Sequence, residues 1–153
     1  MHKYEARISW KRDGAKFSDN RYSRRHEWSF DGGVTITASS SPSSVPLPYS
    51  VAEAVDPEEA LVASASSCHM LTFLYLAAKR GFVVESYVDE AFGLLEKNSQ
   101  GRLAITRITL RPRIEFSAER SPSAKDLESL HHSAHEQCFI ANSLKSEVVV
   151  EAG

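Results

Sequence analysis

An α+β domain with antiparallel sheets is what the sequence predicts, and three observations predict it. The chain opens in period-two alternation, with Tyr4, Ala6, Ile8 and Trp10 set against Glu5, Arg7 and Ser9. A long helical stretch from Asp56 to Gly81 follows, with a stop signal at each end. Strand-like runs then return, before a second helical stretch and a last apolar run. Runs of strands separated by single helices belong to this class.

Taken in order, the first alternation is a half-buried strand that Arg12-Asp13-Gly14 turns. His26, Trp28 and Phe30 alternate with Arg25, Glu27 and Ser29, Asp31-Gly32-Gly33 is a hairpin signal, and Val34 to Thr37 makes the return strand. Ser39 to Val55 is rich in Ser and Pro and long for a loop, which makes it functional, interfacial or mobile. Asp56 then caps a helix, Pro57 fits its first position, Glu58 and Glu59 suit its positive end, and Gly81 closes it. Inside it, Leu61, Ala65, Cys68, Thr72 and Tyr75 recur at steps of three or four, so the thiol shares their stripe. Leu71, Leu74 and Ala78 widen that stripe, and the C-terminal half is apolar almost all round, as a central helix would be. Ser86 to Lys97 and Leu103 to Phe116 flank an Asn98-Ser99-Gln100-Gly101 turn and form a second hairpin. Ser123 caps another helix, on which Leu127, Leu130, Ala134 and Cys138 recur and which Cys138 ends. Residues 146–151, SEVVVE, make a last short strand.

Bulk properties narrow the function classes. A chain of 153 residues suits a single domain spanning residues 1–153. A formal net charge of −2 offers no footprint for nucleic acid, and the longest apolar runs fall short of a membrane span. The opening residues lack the pattern of a signal peptide, so a cytoplasmic location is expected. There, two widely separated cysteines are inert, catalytic or metal-bound more often than structural.

Three chemistries compete for the thiols. Cys68 can be a small buried hydrophobe, although Ala63 to Ser67 leave room for another segment or a substrate to approach the sulfur. His131, His135 and Cys138 share one helix face and, with Cys68 or His69, make a possible zinc set that lacks a Cys-x-x-Cys pair. A redox thiol needs a positive group beside it and a second thiol in reach. Cys68 lies too deep in its helix for the N-terminus to act on it, which leaves Arg12, Arg24 or Arg25, with Glu58 able to hold a guanidinium.

Asp56-Pro57-Glu58-Glu59, the small-residue run, Ser67-Cys68 and the second cysteine in Ala134-His135-Glu136-Gln137-Cys138 together resemble the OsmC/Ohr family, the osmotically inducible and organic hydroperoxide resistance proteins. The resemblance spans the chain and implies an OsmC-like fold with two main helices, intertwined as a homodimer in which the central helices pack together. It implies a thiol peroxidase: the residue matching Cys68 attacks an organic hydroperoxide, or hydrogen peroxide less well, and the sulfenic acid condenses with the residue matching Cys138. The residue matching Glu58 would hold the activating arginine, no bound cofactor is expected, and a dithiol such as dihydrolipoamide would restore the thiols. Lys11-Arg12-Asp13-Gly14 resembles the turn that carries the arginine in one branch, whereas the loop Ser39 to Val55, which carries it in the other, has none here. Arg24 is favoured, because its strand should bring it toward the helix, over Arg25 and Arg12. Phe139 and Ile140 follow the second cysteine where the organic-hydroperoxide branch has proline. His69 is either a proton donor to the leaving alkoxide or the maker of a structural bond. The alternative function on the same fold is the binding of a small apolar or thiol ligand at the dimer interface, without catalysis.

Overall fold

The computed structural model describes residues 1–151. The chain divides into two compact units, Met1–Ala60 and Leu61–Gly153.

The first unit is built on a meander of β1 (Ala6–Ser9), β2 (His26–Phe30) and β3 (Thr35–Ala38), antiparallel throughout. Gly33 turns the β2–β3 hairpin at φ +96°, a conformation that a side chain resists. Between β1 and β2 the rings of Trp10, Phe17 and Tyr22 cluster, with Phe17 stacked on Tyr22 at 4.6 Å. The loop expected to be functional, interfacial or mobile is tied by its own polar groups. Ser39 Oγ accepts from Val51 N–H (2.9 Å), Ser50 Oγ donates to the Val45 carbonyl (2.7 Å), and both serines are buried. The unit ends on the first turn of α1 (Pro57–Lys79), where Asp56 Oδ1 accepts from Glu59 N–H at 2.8 Å as the N-cap.

In the second unit α1 continues over two sheets. β4 (Val84–Asp89) pairs with β7 (Pro112–Phe116), and β5 (Phe92–Lys97) pairs with β6 (Leu103–Leu110), both antiparallel. β8 (Glu147–Val150) joins the far side of β6 in parallel, a departure from uniformly antiparallel pairing. The turn at Asn98 to Gly101 is where the sequence placed it, but each expected long strand is two strands belonging to different sheets. The split falls at Arg111-Pro112, because proline has no N–H for a ladder, and Asp89 seals the corner by accepting from Arg111 N–H at 2.6 Å. α2 (Ala124–Gln137) starts with a capping box between Ser123 and Asp126. A third helix absent from the sequence reading, α3 (Phe139–Ser143), follows at once, with Cys138 as the C-cap of α2 and the N-cap of α3.

Two apolar clusters hold this unit. Phe73, Leu76 and Ala77 of α1 pack on Leu130 and Ala134 of α2 and on the β4–β7 ribbon. Nearer its N-terminus, Ala65 meets Ile108, Leu110 and Val148 of the other sheet. Burying residues such as Phe73, Ile108 and Leu130 contributes about 1.5–3 kcal/mol each. The small residues of α1 are what let it lie so close to that sheet. Gly93 matters for the same reason, since a Cβ there would stand 2.8 Å from Val62 Cγ2.

The face of α1 that its own chain buries runs Ala65, His69, Phe73, Leu76 and Ala77. The expected stripe through Cys68, Thr72 and Tyr75 lies beside it and is only partly covered, with Tyr75 62% and Leu71 60% exposed. A helix apolar nearly all round carries no phase by which periodicity can choose its inner face. By length and mean hydropathy α1 also meets the criterion for a membrane span, a test that the core helix of a globular protein passes as well.

Candidate functional site

Cys68 sits midway along α1, half-buried, and the Thr72 hydroxyl donates to its carbonyl at 2.9 Å. Cys138 is 1% exposed at the junction of α2 and α3, where its Sγ accepts from Ala141 N–H at 3.4 Å. Both are free thiols. Burial first, and then the neighbouring Cys68 thiol, push the Cys138 thiol up from its ordinary value. The arrangement therefore pairs a half-buried thiol with a second that is sealed and held protonated.

A second polar pair joins the same two helices. His69 Nε2 and His131 Nδ1 are 3.0 Å apart with their ring planes 9° from parallel, and both residues are buried. Burial, followed by the charges that His131 and His135 would carry, pulls His69 down to about 4, with Asp89 opposing. His131 is pulled down by burial too, again against Asp89. Both imidazoles are thus neutral near pH 7, and one donates its single N–H to the other. Asp89 accepts from the Ser66 hydroxyl as well as from Arg111 N–H, which fastens α1 to the end of β4 two residues before the thiol. Three sealed polar atoms have no hydrogen-bond partner among the described residues: His69 Nδ1, His135 Nδ1 and Tyr87 OH. Tyr87 is pushed up by burial and then by the charge of Asp89.

The zinc set does not assemble. Cys138 Sγ accepts from Ala141 N–H, His131 is bonded to His69, and among the described residues no group of three or more His, Cys, Asp or Glu is placed to hold a metal. His131 and His135 instead line an open groove of about 990 Å³ between α2 and β8, and neither cysteine borders it.

The remaining predicted residues lie in the first unit. Arg24 is clamped locally: its guanidinium donates to the Asn20 carbonyl (2.9 Å), the Tyr22 carbonyl (2.5 Å) and Asn20 Oδ1 (2.7 Å), and lies 3.7 Å over the Tyr22 ring. Arg25 and Arg12 are exposed. Glu58 is half-buried in the first turn of α1, and among the described residues no ion pair joins it to Arg24, Arg25 or Arg12. The sequence reading passed over Asp89, Tyr87 and the pairing of His69 with His131. The one signal for that pairing was two histidines at otherwise core-facing helix positions, while nothing local marks Asp89.

Residues 50–153 match the family of OsmC-like proteins. No curated protein matches the chain. Among solved structures, an OsmC-like protein of unknown function from Vibrio cholerae is 54% identical over 100% of both chains, with a TM-score of 0.98. An organic hydroperoxide resistance protein from Elizabethkingia anophelis superimposes with a TM-score of 0.71 at 12% identity, covering 100% of this chain and 98% of that one. The organic hydroperoxide resistance protein OhrB of Bacillus subtilis does so with a TM-score of 0.65 at 18% identity, over 98% of each chain. At those lower identities the likeness is one of fold. The Vibrio relative and the match from residue 50 onward place the chain in a family as well as a fold: it belongs to the OsmC-like proteins.

Proposed function

We propose that this protein is a cysteine peroxidase that reduces organic hydroperoxides, and hydrogen peroxide more slowly. The observation that carries the reading is the pair of free, neighbouring thiols, one half-buried and the other sealed. In the first step the Cys68 thiolate attacks the terminal peroxide oxygen. An S–O bond forms, the O–O bond breaks, and the alkoxide leaves as the alcohol after taking a proton. Cys138 then attacks the sulfenic sulfur, forming the Cys68–Cys138 disulfide, and the hydroxyl leaves as water with the Cys138 proton. A dithiol such as dihydrolipoamide returns both thiols by exchange. A thiol that burial keeps protonated does not compete for peroxide, which suits Cys138 to the second step.

Arg24 is our choice of activating cation, since its four local contacts hold it in one orientation, and Arg25 and Arg12 are the alternatives. Glu58 is proposed as its anchor during turnover. We place the working protein in a reducing, cytoplasmic setting as a homodimer, the exposed apolar side of α1 around Leu71 and Tyr75 being the surface a second copy would cover.

The test is intact mass and peptide mapping of reduced protein after one equivalent of cumene hydroperoxide. Rapid loss of two hydrogens with a Cys68–Cys138 crosslink is the expected result. Unmodified thiols, or undiminished turnover by Cys68→Ser, would overturn the mechanism and turn attention to ligand binding.

A further inference from the structure

We propose that His69 and His131 are a positioning pair for the thiols, their hydrogen bond setting α1 against α2 so that Cys138 meets Cys68 at the geometry disulfide closure requires. This rests on the two-thiol reading above. An imidazole-to-imidazole hydrogen bond connects these helices, and Cys68 on one neighbours Cys138 at the end of the other. His69 is the residue after Cys68 on α1. On α2, His131 stands seven residues before Cys138, close to two full turns, so both lie on its buried face with Leu130 and Ala134. The remaining core contacts of the two helices, Phe73, Leu76 and Ala77 against Leu130 and Ala134, are apolar and non-directional. A small slide of one helix along the other changes their energy little. A 3.0 Å imidazole hydrogen bond does not tolerate that slide, and as a buried directional contact it sets the register beside the thiols.

The same bond makes closure sensitive to acid. The groups around the pair are Asp89 from β4, His135 from α2 and the Phe73 ring of α1 at 4.6 Å from His131. Only Asp89 among them offsets added positive charge, and it is already committed to Ser66 and Arg111. Since His131 borders the α2–β8 groove, protons reach the pair from that side.

The experiment measures closure apart from peroxide chemistry. Dithiodipyridine converts Cys68 to a mixed disulfide with release of one thiopyridone. Cys138 then displaces the second thiopyridone as the protein disulfide forms, so the second phase reports closure alone. Three proteins are compared: wild type, H69L/H131L, in which both partners become apolar and neither is left unpaired, and H69Q/H131N, an amide pair that keeps a hydrogen bond and cannot titrate. In H69L/H131L the second phase is expected to slow by about ten- to a hundredfold while the first phase is unchanged, the usual cost of a small misplacement of reacting atoms. H69Q/H131N is expected to recover most of the rate. As the pH falls through about 4, where the folded protein's His69 takes up its proton, the ratio of the wild-type rate to the amide-pair rate is expected to fall, because Cys138 ionisation is common to both and cancels. An unchanged second phase in a folded H69L/H131L overturns the proposal, and so does a constant ratio, which is decisive even if H69L/H131L does not fold. If peroxide leaves the wild-type thiols untouched while dithiodipyridine closure still depends on the pair, the peroxidase reading fails and the positioning role stands.

Discussion

Cys68 and Cys138 differ in what surrounds them, and that difference predicts how each fails. Cys68→Ser removes the half-open nucleophile and is expected to abolish turnover. Cys138→Ser leaves oxidation to stop at a Cys68 sulfenic acid, which a dimedone adduct in the mass spectrum would report. On the proposed role of Arg24 as activating cation, Arg24→Ala is expected to slow the first step by about tenfold or more, and Glu58→Ala by less. Stopped-flow peroxide consumption measures both, and a wild-type rate for Arg24→Ala would move the role to Arg25 or Arg12. His69 supplies a pH dependence whose sign follows from its burial. Unfolded, it titrates near 6.5, and folded it is held down to about 4, so the unfolded chain binds more protons between those values. Stability is complete above 6.5 and falls as the pH drops toward 4, by roughly 3 kcal/mol at about 1.4 kcal/mol per pH unit. Urea unfolding at neutral and mildly acidic pH measures it, and a flat profile would mean that His69 is not buried neutral. The cysteines and Glu58 were legible because they sit in a paired motif at fixed spacing. Asp89 was not, because a carboxylate at a strand end is usually solvated, and only the fold brings it to Ser66 and Arg111.

Among the elements, those written by local chemistry matched their sequence signals. Asp56 and Ser123 cap the helices, Asn98 to Gly101 turns a hairpin, and Gly33 turns another. Pairing between distant strands was less legible. Nothing in SEVVVE says that β8 runs parallel to β6, and alternation continues through Arg111-Pro112 although the chain changes sheets there. The proline was the one available sign of that boundary. The inner face of α1 was also hidden, since its apolar residues surround it and only the sheet against Ala65 and α2 against His69 select it. Close helix–sheet contact predicts a sharp steric effect at Gly93. Gly93→Ala would place a methyl 2.8 Å from Val62 Cγ2 and 3.1 Å from Ile105 Cγ2, which is expected to cost about 1–3 kcal/mol unless α1 shifts. Because α1 carries Cys68, thermal unfolding and the closure rate should fall together. A variant that loses stability but closes at the wild-type rate would show that the two are uncoupled.

For the whole molecule, the long apolar helix α1 also carries large apolar side chains in the open, and that conflict has to be resolved somewhere. Leu71 and Tyr75, one turn apart on α1, are 60% and 62% exposed, while Phe73 and Ala77 on the opposite side are fully covered. A chain that leaves large apolar side chains in a row on its central helix gains by covering them, at about 25 cal/mol for each Å² removed from water. A second copy covers that row most economically, because a two-fold axis across α1 sets the Leu71 and Tyr75 row of one copy against the same row of the other and buries both. Light scattering at micromolar concentration is therefore expected to give twice the chain mass of 17.0 kDa. Leu71→Arg should reduce that mass toward a single chain, because two like charges would face one another in a desolvated contact. If the substitution also slows peroxide attack on Cys68, one turn away, the active site depends on the assembled pair. If the mass halves and the rate holds, the site is complete within one chain. A wild-type protein that runs at 17.0 kDa would leave the α1 surface open and would refute the dimer.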